Sequence, residues 1–172
     1  MNNLVKSIAE QNDDENALKF LTFFLAGESY GFSILRVKEI IEYGDVTSMP
    51  MMPEFICGAI NLRGKAVPVI DLAGRLSLRT ADISRRTCII VIELHVNEEM
   101  MNIGLMVDAV SRVIDFKPDE IERTPSLGGH IRTDFIEAMG KIDEQFVILL
   151  NIDNILSMND LSTLSQAQDS ME

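Results

Sequence analysis

Short apolar runs recur along the middle of this chain, separated by glycine, proline and acidic residues, and most are too short for a helix. "KFLTFFL" and "ESYGFSI" flank Ala26-Gly27 and predict an opening β-hairpin. "CGAINL", "KAVPVI", "TCIIVIEL", "MNIGLMV", "SRVIDF", "FIEAMGKI" and "FVILLNI" are further strand candidates. In "SILRVKEIIEY" the spacing of Ile34, Val37, Ile40 and Ile41 fits a helical face, while "VKEII" also fits a strand; we expect a short helical turn that runs into a strand. If that strand is regular, Val37, Glu39 and Ile41 share one face. Asp71 and Asn151 each follow an apolar run and precede "LAGRL" and "IDNIL", so both are expected to cap short helices.

"NLRGKAVPVIDL" sets Arg63-Gly64 between two strands. Gly64 permits the positive φ of a two-residue hairpin, so Arg63 would stand on a rigid turn, within reach of Glu39. Pro68 cannot donate to a ladder, which predicts an edge strand or a bulge and an open docking edge. Met49, Met51 and Met52 in "MPMMPEF" suit either adaptable contacts or core filling.

The segment from Phe55 to Leu76 aligns without a gap on Phe135 to Leu156, an offset of 80, matching Ile56 with Ile136, Val67 with Val147, Val69 with Leu149 and Asp71 with Asn151. Upstream, Gly31 to Tyr43 aligns on Gly104 to Phe116, an offset of 73, matching Val37 with Val110 and Ile41 with Ile114. A longer loop inside residues 117–134, which holds Gly128-Gly129, accounts for the changed offset. This duplication predicts a mainly β protein of two small antiparallel barrels with short helices and an apolar interface between them. The lobes would span about 19–85 and 86–157, either separate or with strands exchanged between them, inside a domain of residues 18–158. Residues 1–17 and 159–172 are polar and are expected to be tails.

Composition narrows the function by exclusion. With 172 residues and 47% hydrophobic content the chain can bury a core, and its net charge of −12 would repel a phosphate backbone. The largest basic cluster, Arg85-Arg86 near Arg79, suggests only a solvated loop. Cys57 and Cys88 form no CxxC or Cys/His group, so no disulfide framework or metal site is expected, and reduced thiols fit a cytoplasmic protein. No run reaches membrane-span length. His95, expected in a hairpin turn, and His130, in the Gly-Gly loop, lie beside no nucleophile motif. Neither catalysis nor a cofactor is expected; an interaction module is.

"FLTFFLAGESYGFSILRVKEI", "PEFICGAINLRGKAVPVIDL", "IGLMVDAVSRVI" and "FVILLNIDNIL" together resemble the chemotaxis coupling proteins called CheW, over about residues 19 to 157. The resemblance implies two five-stranded, SH3-like β-barrels around a shared apolar groove and an adaptor without enzymatic activity. It implies binding to the cytoplasmic tip of a methyl-accepting chemotaxis receptor and to the regulatory domain of the histidine kinase CheA, in membrane-associated arrays, by a protein that is monomeric when free. Receptor contact would fall on Val37, Glu39, Ile40 and Arg63, with Cys88 and Val113 in the same groove, and kinase contact on Gly58, Gly64 and Val107. Cys57 stands where the family commonly has a long polar side chain, and Cys88 where it usually has a β-branched one. The alternatives are a coupling protein of a related pathway such as twitching motility, and a small β-barrel enzyme or ligand-binding protein, which a polar pocket at His95 or His130 would favour.

Overall fold

The computed structural model describes residues 18–78, 82–96, 98–123 and 135–156. Both expected tails, Arg79 and the Gly128-Gly129 loop with His130 lie outside them. The first repeat runs β1 (Lys19–Leu25), β2 (Glu28–Ser33), a 3-10 turn (Ile34–Arg36), β3 (Val37–Glu42), β4 (Ile56–Leu62), β5 (Lys65–Asp71) and α1 (Leu72–Arg75). The second runs β6 (Cys88–Val96), β7 (Glu99–Val107), β8 (Ala109–Asp115), a 3-10 turn (Pro118–Glu120), β9 (Ile121–Glu122), β10 (Ile136–Ile142), β11 (Gln145–Leu150) and α2 (Ile152–Ile155). The opening hairpin and the helical turn before β3 are as the pattern predicts.

The sheets do not follow a cut of the chain at residue 86. One has the order β3-β6-β7-β5-β4, the other β8-β1-β2-β11-β10-β9, so each takes two strands from one repeat and the rest, three in the first sheet and four in the second, from the other. The register follows the duplication. Val69 pairs with Gly104 in the parallel β5–β7 ladder, and Leu149 with Gly31 in the parallel β11–β2 ladder. Ile40 pairs with Ile90, and its counterpart Val113 with Leu21. Asp71 N–H donates to the Phe55 carbonyl at 2.7 Å, and Asn151 N–H to the Phe135 carbonyl at 2.8 Å.

Each sheet curls until the chain leaving one edge strand reaches the opposite edge. After β3, Thr47 bridges to Ala59 of β4; after β8, β9 pairs with β10 through Met139 and Glu122. The sixth strand is therefore the two-residue counterpart of the Thr47 bridge, added to a five-stranded plan.

Curling gives every sheet an inside and an outside. Ile89 and Val91 of β6 point into one barrel with Ile60, Val67 and Val69, while Ile90 and Ile92 point the other way into a large core shared by both sheets. Phe20, Ile114, Phe116, Val147 and Leu149 fill the other barrel. β6 is buried on both faces, which explains the unbroken apolar run "CIIVI" where a half-exposed strand would alternate. Phe23, Phe32 and Ile34 are fully buried in the shared core, each contributing on the order of 2 kcal/mol. At the seam, Arg75 of α1 places its guanidinium 5.3 Å from the Phe55 ring centre and 5.2 Å from that of Phe135, which are equivalent in the two repeats.

Three expectations need correction. β5 lies inside its sheet, between β7 and β4, and is not an edge strand. Pro68 is tolerated there because hairpin alternation from Leu62–Lys65 puts the Ala59–Pro68 pair at a non-hydrogen-bonded position, and the β7 ladder begins only at Val69. Second, β3 is bulged between Val37 and Glu39, so Val37 packs beside Ile40 in the shared core, while Glu39 and Ile41 fall on the barrel side. Third, His95 is an exposed residue of β6, paired with Met100, rather than part of the turn. Asp71 and Asn151 are both N-cap residues, but only Asn151 makes a capping bond, accepting from Asn154 N–H at 3.2 Å.

Gly58 shows how tightly the barrel closes. Its φ is +150°, and a Cβ there would stand 2.0 Å from the Thr47 carbonyl oxygen. Gly58→Ala is expected to lose about 2 kcal/mol or more of stability, seen as a lower denaturant midpoint at an unchanged m-value, because backbone rather than a movable side chain fills the space.

Candidate functional site

The β4–β5 turn is built from its sequence. Arg63 and Gly64 have φ of 51° and 84°, the two left-handed positions of a two-residue hairpin, and Asn61 Oδ1 accepts the Gly64 N–H at 2.9 Å. The turn projects the Arg63 side chain, 66% exposed, over the end of β3. There the bulge has turned Glu39 inward, leaving its side chain 6% exposed. Arg63 Nη1 and Nη2 donate to the two carboxylate oxygens of Glu39 at 3.3 and 2.5 Å. A carboxylate deprived of water needs donors of this kind, and a guanidinium fork supplies two in the right geometry. In return, these hydrogen bonds and the negative charge of Glu39 raise the Arg63 pKa above the ordinary guanidinium value, so the arginine stays charged.

Beyond Glu39 the strand continues along an open groove of about 290 Å³. Ile40, Ile41 and Glu42 of β3 form one wall, Ala109 and Val110 of β8 another, and Cys88 with Arg85 and Arg86 closes one side. The groove therefore lies where strands of the two repeats meet.

The candidate residues divide accordingly. Glu39 and Arg63 form a pair, with Gly64 exposed in the same turn, and Ile40 and Cys88 line the groove. Val37, opposite Ile92, is buried in the shared core. Val107, 1% exposed, pairs with Cys88, and Gly58 is buried under Thr47; these three support the surface from beneath. Val113 is half-buried against the shared core on β8, at the position equivalent to Ile40. Glu42, Ala109 and Val110 are groove residues that the sequence reading did not single out, and Arg85-Arg86, read there as a solvated loop, lines the groove as well. The adjacent arginines gave a signal, but only the pairing of β6 with β3 turns that loop toward a groove.

The second lobe repeats this geometry with reversed charge. The duplication carries Glu39 to Arg112 and Arg63-Gly64 to Asp143-Glu144, whose φ values of 50° and 62° reproduce the turn. Arg112 is exposed, and among the described residues only its backbone is engaged, donating to and accepting from Thr22 Oγ1 at 3.2 and 2.6 Å. Arg36 occupies the position equivalent to the small Ala109 and is held by Asp153 at 2.6 Å.

Neither thiol is activated. Burial foremost, then the charge of Asp71, pushes the Cys57 thiol up to about 11, and burial also raises Cys88. Among the described residues no three His, Cys, Asp or Glu side chains could hold a metal ion, and no helix is long and apolar enough to cross a membrane.

Two outcomes follow from this geometry. Arg63→Met should lower the denaturation midpoint by stranding Glu39, and the double variant Glu39→Met/Arg63→Met should recover most of the loss; additive effects in the cycle would count against coupling. For Cys57 the folded-state pKa is raised, so its contribution is complete below the ordinary pKa of 9.0 and is lost as pH climbs towards about 11. Denaturation midpoints measured across that window should fall less steeply for Cys57→Ala than for the unmodified chain.

A family model described as CheW-like domain matches residues 19–160. The chemotaxis protein CheW of Klebsiella aerogenes is 33% identical over 144 residues, covering 84% of both chains. That of Bacillus subtilis is 36% identical over 134 residues, covering 78% of this chain and 81% of the relative. The crystal structure of the scaffolding protein TtCheW from Thermoanaerobacter tengcongensis superposes with a TM-score of 0.72 at 37% identity, covering 83% of this chain and 89% of that one. A match over nearly the whole folded region, on a duplicated and strand-exchanged pair of β-sheets, places this chain in the CheW-like family of chemotaxis coupling and scaffold proteins.

Proposed function

We propose that this protein couples methyl-accepting chemotaxis receptors to the histidine kinase CheA, acting as a non-enzymatic adaptor in membrane-associated arrays. The observation that carries this reading is the Arg63 fork, fixed on a rigid turn by the buried Glu39, on the strand whose next residues, Ile40, Ile41 and Glu42, line a mostly apolar groove. A receptor helix would lay an apolar face along Ile40, Ile41, Ala109 and Val110 while Arg63 supplies directional hydrogen bonds at one end. Cys88 contributes to the same groove, while Val37 acts through packing and Val113 from the adjoining strand β8. On the kinase side, Gly64 offers backbone at the turn, while Gly58 lets the chain after β3 approach β4 and Val107 supports the surface from the shared core.

An arginine held ready by its own carboxylate loses little freedom on binding, which favours specific contact. The CheW-like family match, the relatives described as chemotaxis proteins and the similar structure described as a scaffolding protein support the same reading.

Calorimetric titration of a purified receptor signalling tip, and separately of the kinase regulatory domain, tests it. Both should bind saturably. Arg63→Ala and Arg63→Lys should each weaken the receptor tip about tenfold or more, since lysine keeps the charge but not the fork. Unchanged affinity in a folded Arg63→Ala variant would sink the assignment of Arg63, and binding of neither partner would sink the coupling function.

A further inference from the structure

Two adjacent arginines are unexpected on the rim of an apolar groove in a chain of net charge −12. They are also unusually well placed. The turn that carries them is closed by Thr87 N–H donating to the Ser84 carbonyl at 3.3 Å and by Ser84 N–H donating to Thr87 Oγ1 at 2.9 Å. Arg86 N–H donates to Ser84 Oγ at 3.1 Å, and the Cys88 thiol donates to the Arg86 carbonyl at 3.3 Å. Thr87 is 5% exposed and accepts the Tyr43 N–H at 3.1 Å, which ties the turn to the end of β3. The Arg86 guanidinium lies 6.0 Å from the Phe24 ring centre. Both arginine residues are exposed, and among the described residues no carboxylate forms a salt bridge with either.

We infer that Arg85 and Arg86 form a second cationic contact of the groove, recognising carboxylates that flank the apolar stripe of the helix docked there. The inference rests on the coupling reading and specifies its partner: a helix with an apolar face, acidic both where it meets Arg63 and where it meets the Ser84–Thr87 turn. Complementary charge selects this occupant. Glu42 is the single carboxylate of the groove lining and Arg63 is already paired with Glu39, which leaves the balance positive at Arg85 and Arg86; a basic amphipathic helix would be repelled there, whereas an acidic one replaces the water around them with charge-assisted hydrogen bonds. The apolar floor supplies affinity, and the two cationic contacts set direction and register.

The test is titration of the receptor signalling tip into the full chain and into Arg85→Gln/Arg86→Gln, across a series of salt concentrations, with the kinase regulatory domain as internal control. The double variant should bind the tip about tenfold more weakly at low salt and show a flatter dependence on salt, because two screened contacts are gone. Arg85→Gln alone, which keeps Arg86 over Phe24, should fall between the two. Affinity for the kinase domain should not move. A variant that binds the tip with the affinity and salt dependence of the unmodified chain would overturn the inference, as would an equal loss for both partners. Failure of the unmodified chain to bind the tip would instead remove the coupling reading, and this contact with it.

Discussion

The hydrogen-bond pairing of β3 with β6 and of β8 with β1 is the constraint on which the rest of this molecule depends. Neither repeat has a sheet of its own, because each lends its first two strands to the barrel completed by the other. The exchange commits the chain to one large shared core, in which Phe23, Phe32, Ile90, Ile92 and Leu105 meet, and binds the lobes more firmly than a surface contact would. Close approach is required where the halves interlock. At Gly104 a Cβ would stand 2.7 Å from Ile89 Cγ2, and at Gly31 it would stand 2.9 Å from the Leu21 carbonyl oxygen. These equivalent glycines sit at the equivalent parallel pairings.

Exchange also creates the groove. The groove floor needs β3 from one repeat and β8 from the other, and the turn carrying Arg85 and Arg86 is the link between repeats. A symmetric scaffold would present this surface twice. Side chains break the symmetry where it matters: Glu39 and Arg63 face Arg112 and Asp143 across the duplication, and Ala109 faces Arg36. One lobe buries its carboxylate and aims an arginine outward, while the other shows an acidic turn. The backbone turn is repeated by the duplication, so the chemical difference between the two lobes resides in a handful of substitutions upon it.

Much of this was legible from residue order. The turn at Arg63-Gly64 followed from glycine chemistry, the reach of Arg63 to Glu39 from alternation along β3, and the duplication from spacing. Where alternation failed, the cause was local: a bulge after Val37 shifts the strand by one residue, and nothing in "RVKEI" announces it. Pro68 misled for a related reason, since its missing donor matters only on the side of the strand that a ladder occupies.

The sequence by itself determined the class of fold, the two-copy plan, the rigid arginine turn and the absence of a recognisable catalytic motif, because each depends on contacts within a repeat or on residue type. Tertiary structure alone decided which repeat completes which barrel, that β5 is internal, that Glu39 is buried while Arg63 is not, and that Arg85 and Arg86 overlook a groove. Those outcomes rest on pairings between residues far apart in the chain, such as Ile40 with Ile90 and Leu21 with Val113. Local preference is the same whichever partner strand is chosen, and the choice is made by which arrangement buries the apolar faces of both repeats together.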